Sequence, residues 1–197
     1  MTQQKREDLP AVPDIPLLEA ELKRERYRRQ YGKVLRSTVY TLITVAAVAI
    51  LVATLWLPVL QIHGSSMTPT LEDGQIVVSV KSADLKRGDV VAFYYNNKVL
   101  VKRVIAETGD WVNIAEDGTV YVNDEELDEP YITDKAFGDT NIELPYQVPD
   151  AKVFVMGDHR SVSIDSRNTM VGCIAQEQII GKLVFRLWPL TEFGTIE

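Results

Sequence analysis

From Ser37 to Leu71 the chain carries no Asp, Glu, Lys or Arg. Within that gap Val39 to Leu60 reads VYTLITVAAVAILVATLWLPVL, 22 residues that as a helix reach about 33 Å, enough to cross a hydrocarbon core of ~30 Å. The pattern predicts a transmembrane helix over residues 37–60. A buried core helix is the other reading of such a run. A cleaved signal peptide fits poorly, because its apolar stretch spans only ~7 to 15 residues and lies near the chain start. An uncleaved signal anchor describes the segment better.

Before the span, residues 1–13 are polar, with Pro10 and Pro13, and should be loose. From Asp14, a candidate N-cap, LLEAELKRERYRRQYGKV is rich in helix formers. Beyond the span the texture changes to short β-branched or aromatic runs: Gln75 to Val80, Asp89 to Asn97, Lys98 to Ala106, Trp111 to Ala115, Thr119 to Asn123, Lys152 to Met156 and Ile179 to Trp188. Glu116-Asp117-Gly118 and Asn96-Asn97 are hairpin turn signals. The expected fold is mainly β, an antiparallel sheet or barrel-like domain over residues 61–197. An acidic, turn-rich stretch at about 107–151 suggests a small β-rich insertion.

Charge sets an orientation. Lys23, Arg24, Arg26, Arg28, Arg29, Lys33 and Arg36 stand just before the span, so the positive-inside rule keeps segment 1–36 in the cytoplasm and exports the rest. Residues 1–60 hold nine Lys and Arg against six Asp and Glu, whereas residues 61–197 hold twelve against twenty-two. An acidic outer domain argues against nucleic acid as a partner, and the basic segment suits anionic lipid. With 46% hydrophobic and 25% charged residues, the composition excludes disorder and collagen-like readings. The single cysteine, Cys173, cannot form an internal disulfide, and with two histidines the chain offers no common zinc set.

Several residues could carry chemistry. Ser66 lies in GSSMTPTL, close behind the span, where a nucleophile would meet substrates at the membrane; Met67 and Leu71 offer apolar walls, and a simple turn serine is the alternative. Lys102 shares a strand face with Leu100, Val104 and Ala106, while Val99, Val101, Arg103 and Ile105 share the other. Among apolar neighbours its ammonium loses hydration and its pKa falls, freeing a neutral amine as a base; a snorkelling lysine at a strand end is the alternative. His63 or His159 could serve instead as the base of a Ser/His/Asp triad. Cys173, with small or apolar neighbours, reads as a buried inert thiol rather than a nucleophile. GDHRSVSIDSR, Gly157 to Arg167, is either an ordinary polar loop or a rigid platform fixed by Asp/Arg pairs. Leu187, Trp188, Leu190 and Phe193 suit either a membrane interface or a core cluster.

Four segments, in order, resemble the type I signal peptidases: SMTPTL (Ser66 to Leu71), RGDVVAF (Arg87 to Phe93), KRVIAETGD (Lys102 to Asp110) and GDHRSVSIDSR. The resemblance spans nearly the whole outer domain. It implies a membrane-bound serine endopeptidase that removes signal peptides from exported preproteins, cutting after small residues, with Ser66 as nucleophile and Lys102 as general base. By the same resemblance Ser163 hydrogen-bonds the lysine, Asp165 and Arg167 form a structural pair, as do Asp158 and Arg103, and Ile62, Met67, Leu71, Leu100 and Val101 line the substrate pocket. No metal or cofactor is implied; preproteins, membrane lipid and the export machinery are the expected partners, at a bacterial plasma membrane.

Two positions depart from the family pattern. Gly64 stands where some members have a serine that supplies an oxyanion donor, which leaves the backbone N–H of Ser66, with Gly64 or Ser65 as helpers. His159 replaces a more usual asparagine. The rivals are a sortase-like transpeptidase acting through Cys173 and a tethered, non-catalytic binding domain.

Overall fold

The computed structural model describes residues 15–81 and 84–196. Segment 1–13 and the Asp14 cap lie outside them. The chain divides into two units, residues 1–52 and 53–197.

Helix α1 is continuous over Ile15–Trp56. The charged stretch and the apolar stretch join without a break because Pro16 falls in the first turn, where a missing N–H is tolerated, and no proline follows until Pro58. Pro58 disfavours helical geometry at Leu57, so the helix stops at Trp56, short of the expected boundary at Leu60. Within Leu18–Val52 the helix is long and apolar enough to cross a membrane. Its large apolar side chains, Leu42, Ile43, Val45, Val48, Ile50 and Leu51 among them, are exposed, an arrangement suited to lipid rather than water. Three threonines in the stretch are satisfied locally: the hydroxyls of Thr38, Thr41 and Thr44 donate to the carbonyls of Val34, Ser37 and Tyr40, at 3.0, 2.9 and 2.9 Å.

The second unit is antiparallel β. Its strands are β1 (Val59–Gln61), β2 (Ile76–Val80), β3 (Val90–Tyr95), β4 (Lys98–Ala106), β5 (Trp111–Ile114), β6 (Val120–Val122), β7 (Glu125–Glu126), β8 (Tyr146–Gln147), β9 (Lys152–Met156), β10 (Ile174–Ala175), β11 (Ile179–Trp188) and β12 (Gly194–Thr195). The larger sheet runs β1-β2-β11-β3-β4-β9-β10, with β12 added on β11; the smaller runs β7-β6-β5-β8. Every long β-branched run of the sequence is a strand. The short strands β1, β7, β8, β10 and β12, of two or three residues each, escape pattern reading because so short a segment shows no alternation.

Asn96 and Asn97 both adopt positive φ, 43° and 62°, which lets a two-residue turn join β3 to β4. Strand β4 is the pivot of the unit. It pairs with β3 from Lys98 to Arg103 and with β9 from Arg103 to Ala106. Ile105 and Ala106 then enter an apolar cluster with Val112, Ile114, Val120 and Val122 of the smaller sheet, so one strand ties the two sheets together. A second cluster, Ile62, Met67, Leu71, Val77, Val90, Ala92 and Leu183, packs beneath the loop between β1 and β2.

Strand β11 crosses β2 closely at Gly181, where a Cβ would approach the Val80 carbonyl oxygen to 2.6 Å. Gly181→Ala should therefore destabilise the second unit by about 1 to 3 kcal/mol, by forcing two paired backbones apart. Thermal unfolding of the purified protein checks this; an unchanged midpoint would show that the strands are not so tightly apposed.

Candidate active site

Ser66 occupies a turn between β1 and β2. The strands continue their pairing as far as Ile62 and Gln75, through Ile62 N–H to the Gln75 carbonyl at 2.8 Å and Gly74 N–H to the Ile62 carbonyl at 2.9 Å. Gly64 supplies a positive φ of 89°, and its N–H donates to Asp73 Oδ1 at 2.7 Å. Met67 and Leu71 turn inward and anchor the loop in the second apolar cluster. Leu71 N–H closes the turn on the Met67 carbonyl at 2.8 Å. The nucleophile candidate is thus held between a buried apolar anchor and a carboxylate clamp.

Lys102 reaches this turn from β4, with Nζ 2.6 Å from Ser66 Oγ. Only 3% of the residue is exposed. Burial lowers its pKa from the ordinary 10.5 to about 8; the carboxylates of Asp165 and Asp158 oppose the fall and the Arg167 guanidinium adds to it. Strand β9 ends at Met156, opposite Arg103, so Lys98 to Lys102 have β3 on one side and no strand on the other among the described residues. Beside that edge lies a cavity of about 100 Å³, lined by Leu60 to Gly64, Ser66, Met67 and Val99 to Lys102.

The loop after β9 closes the site from behind. Arg103 donates to both carboxylate oxygens of Asp158, at 2.9 and 2.7 Å, to the Gly88 carbonyl at 2.8 Å and to the Thr70 hydroxyl at 3.2 Å. Arg167 donates to both oxygens of Asp165, at 2.9 Å each, and Gly157 N–H donates to Asp165 Oδ2 at 2.9 Å. Burial alone would raise the Asp165 carboxyl, but Arg167 outweighs it and holds the group ionised. Arg160 pairs with Glu129 through both of its terminal nitrogens. Each of these pairs is bidentate and buried, so losing one partner would leave a bare charge, at about 3 to 5 kcal/mol. The loop also grips the seryl turn: His159 N–H donates to the Ser66 carbonyl at 3.1 Å. Gly157 leaves no room for a Cβ beside that carbonyl and the Ser163 hydroxyl.

The structure therefore brings together Ser66, Lys102, Arg103, Asp158, Asp165 and Arg167. Ile62, Met67, Leu100 and Val101 line the cavity. Leu71 does not; it is a fully buried anchor behind the turn. Ser163 is buried, but its hydroxyl makes no hydrogen bond to Lys102; it lies near enough to Asp165 to favour the carboxylate without reaching full hydrogen-bond geometry. Gly64 cannot serve as an oxyanion donor, since Asp73 takes its N–H. The Ser66 N–H donates to no backbone carbonyl among the described residues.

The other candidates separate from the site. The His159 ring contacts Thr68 Oγ1 at 3.0 Å and the Ser65 carbonyl at 3.2 Å through Nδ1. Through these contacts Nδ1 braces the turn, and no hydrogen bond joins the ring to Ser66 Oγ among the described residues. Cys173 packs against the first apolar cluster, and burial pushes its thiol up to about 11, against weaker opposing effects of Tyr146 and Lys152. It remains a thiol at neutral pH, unsuited to nucleophilic attack. The C-terminal apolar group is not a core cluster, with Trp188 52% and Leu190 72% exposed. Sequence reasoning placed Arg160 in the platform loop without its partner Glu129, and it missed Asp73, Thr70 and Glu129 as parts of the site. The turn tripeptide Glu72-Asp73-Gly74 hinted at the first, whereas Glu129 is one acid among many in its stretch.

Because the folded state disfavours the Lys102 cation, the unfolded chain binds more protons between about pH 8 and 10.5, and stability rises with pH across that window. The penalty below pH 8 is roughly 3 kcal/mol. Lys102→Met should therefore raise the melting temperature at pH 7, with an advantage that narrows by pH 10.5. A difference that does not change with pH would contradict the lowered pKa.

Comparison with known proteins converges on one family. The model of the family described as signal peptidase, peptidase S26, matches residues 35–188. Signal peptidase IB of Staphylococcus aureus strain COL is 41% identical over 152 residues, which cover 67% of this chain and 78% of that protein. Signal peptidase I of Streptococcus pneumoniae serotype 4 is 34% identical over 174 residues, covering 68% and 84%. A crystal structure of a signal peptidase I from Enterococcus faecalis V583 aligns at 28% identity with a TM-score of 0.41, over 51% of this chain and 97% of that one. The chain belongs to the signal peptidase family, peptidase S26, serine hydrolases that remove signal peptides from preproteins.

Proposed function

We propose that Ser66 and Lys102 form the catalytic dyad of a type I signal peptidase. The observation that carries this reading is the 2.6 Å approach of Lys102 Nζ to Ser66 Oγ in a buried site. The neutral amine takes the hydroxyl proton as Oγ attacks the scissile carbonyl, and it returns that proton to the leaving amine. Water, activated by the same amine, then hydrolyses the acyl-enzyme. With a pKa near 8, about a fifth of the lysine is neutral near pH 7.4, against about one part in a thousand for an unshifted side chain. Burial thus removes most of a ~4 kcal/mol handicap. The Ser66 N–H is the oxyanion donor in this reading.

The unpaired edge from Lys98 to Lys102 suits an extended substrate, whose backbone would pair there and aim its side chains into the cavity. A space of about 100 Å³ between Ile62, Met67, Leu100 and Val101 admits small side chains before the cut and excludes larger ones. The basic face ahead of the span keeps the N-terminus in the cytoplasm and places residues 61–197, with their insertion at about 107–151, on the outer face. There the exposed Leu187, Trp188, Leu190 and Phe193 would meet lipid, and preproteins would arrive from the export machinery.

Cleavage of a purified signal-peptide-bearing preprotein in detergent tests the dyad. Wild type and Cys173→Ala should cut after a small residue, while Ser66→Ala and Lys102→Ala should lose activity by several orders of magnitude. For wild type, kcat/KM should rise with pH through about 8 as Lys102 loses its proton. Activity lost only with Cys173→Ala would overturn the reading.

A further inference from the structure

The segment 129–141 leaves the smaller sheet after β7 and belongs to none of the four motif segments that mark the family. It nevertheless touches each of the three buried arginines behind the dyad. The Tyr131 ring lies 3.9 Å from the Arg103 guanidinium carbon, in a cation-π contact. The Ala136 and Phe137 carbonyls accept from Arg167 Nη1 at 3.2 and 3.0 Å. Glu129 takes both terminal nitrogens of Arg160, and Tyr131 donates its hydroxyl to Glu129 at 2.9 Å. Further along, Asn141 N–H donates to the Arg167 carbonyl at 3.0 Å, and the Asp139 carboxylate accepts from Asn168 at 2.8 Å. The accessory sheet thus sends a strap that holds the loop after β9 at Arg160, Arg167 and Asn168.

One of these contacts leads to the nucleophile. Arg160, fixed by Glu129, donates through Nε to the Gly157 carbonyl at 3.0 Å. Gly157 lies against the Ser66 carbonyl and the Ser163 hydroxyl so tightly that no Cβ fits. His159, next to Arg160, holds the same Ser66 carbonyl through its N–H. A shift of the Arg160 side chain therefore moves Gly157 and His159, and both bear directly on the backbone of Ser66. Dense packing transmits such a displacement instead of absorbing it.

We propose that Glu129 is a positioning residue for the peptidase reaction: through Arg160 it sets the loop that holds Ser66 at its distance from Lys102. This inference rests on the dyad reading above. It assigns the accessory insertion a part in turnover, distinct from substrate binding, because Glu129 does not line the cavity beside Ser66.

The test compares kcat and KM for preprotein cleavage by the full-length protein in detergent, for wild type, Glu129→Gln, Glu129→Asp and the double variant Glu129→Leu/Arg160→Met. The double variant replaces the buried ion pair with apolar side chains, a change that commonly preserves folding. Wild type must cleave and Ser66→Ala must not; failure there removes the dyad reading itself. With that control satisfied, Glu129→Gln and the double variant should lose about ten- to a hundredfold in kcat with KM within about twofold, and Glu129→Asp should recover part of the loss. A folded Glu129→Gln or double variant with wild-type kcat, or a change confined to KM, would overturn the inference. So would failure of both to fold, since Glu129 would then serve stability alone.

Discussion

A single ammonium group, carried into the interior on β4 and stripped of water, constrains most of what surrounds it. Lys102 cannot be held there as a cation without a cost of several kcal/mol, and a freely hydrated lysine would be useless as a base at neutral pH. The fold resolves this by matching every other buried charge near the site with its opposite. Arg103 with Asp158, Arg167 with Asp165 and Arg160 with Glu129 form three locally neutral pairs. Lys102 is left with a hydroxyl instead of a carboxylate as its direct partner. Had Asp165 or Asp158 bonded Nζ directly, the pKa would have been held up and the amine kept charged. The guanidinium groups occupy those carboxylates and keep them from the lysine.

The same pairs explain why so long a loop can be rigid. The segment from Gly157 to Asn168 contains no helix or strand, yet much of it is buried. Its order comes from buried, charge-assisted hydrogen bonds, each of which would be expensive to break singly. The seryl turn is held differently, by apolar side chains below and a carboxylate at its neck. One wall of the site is thus electrostatic and the other hydrophobic, and they meet at the Ser66 carbonyl.

Much of this was legible in the sequence. The apolar span, the long strands and the Asn96-Asn97 turn followed from periodicity and turn chemistry, and the alternation on β4 already placed a lysine among apolar neighbours. What pattern could not supply was long-range pairing. The role of Asp73 depends on a turn closing nine residues on, and Glu129 meets Arg160 only because the accessory sheet folds back over the loop. The expected bond from Ser163 to Lys102 came from resemblance, and here that hydroxyl is buried without a hydrogen bond to the lysine. The helix boundary was misjudged for a local reason: hydrophobicity continues past Trp56 while helical geometry stops before Pro58.

The central claim is that burial lowers the Lys102 pKa to about 8 and so leaves a substantial neutral fraction near neutral pH. The most direct measurement is an NMR titration of the full-length protein in detergent with 13C-labelled lysine, the Lys102 side chain being assigned by comparison with Lys102→Met. The account predicts a midpoint near 8 for that resonance. A midpoint near 10.5, with the other lysines, would contradict it.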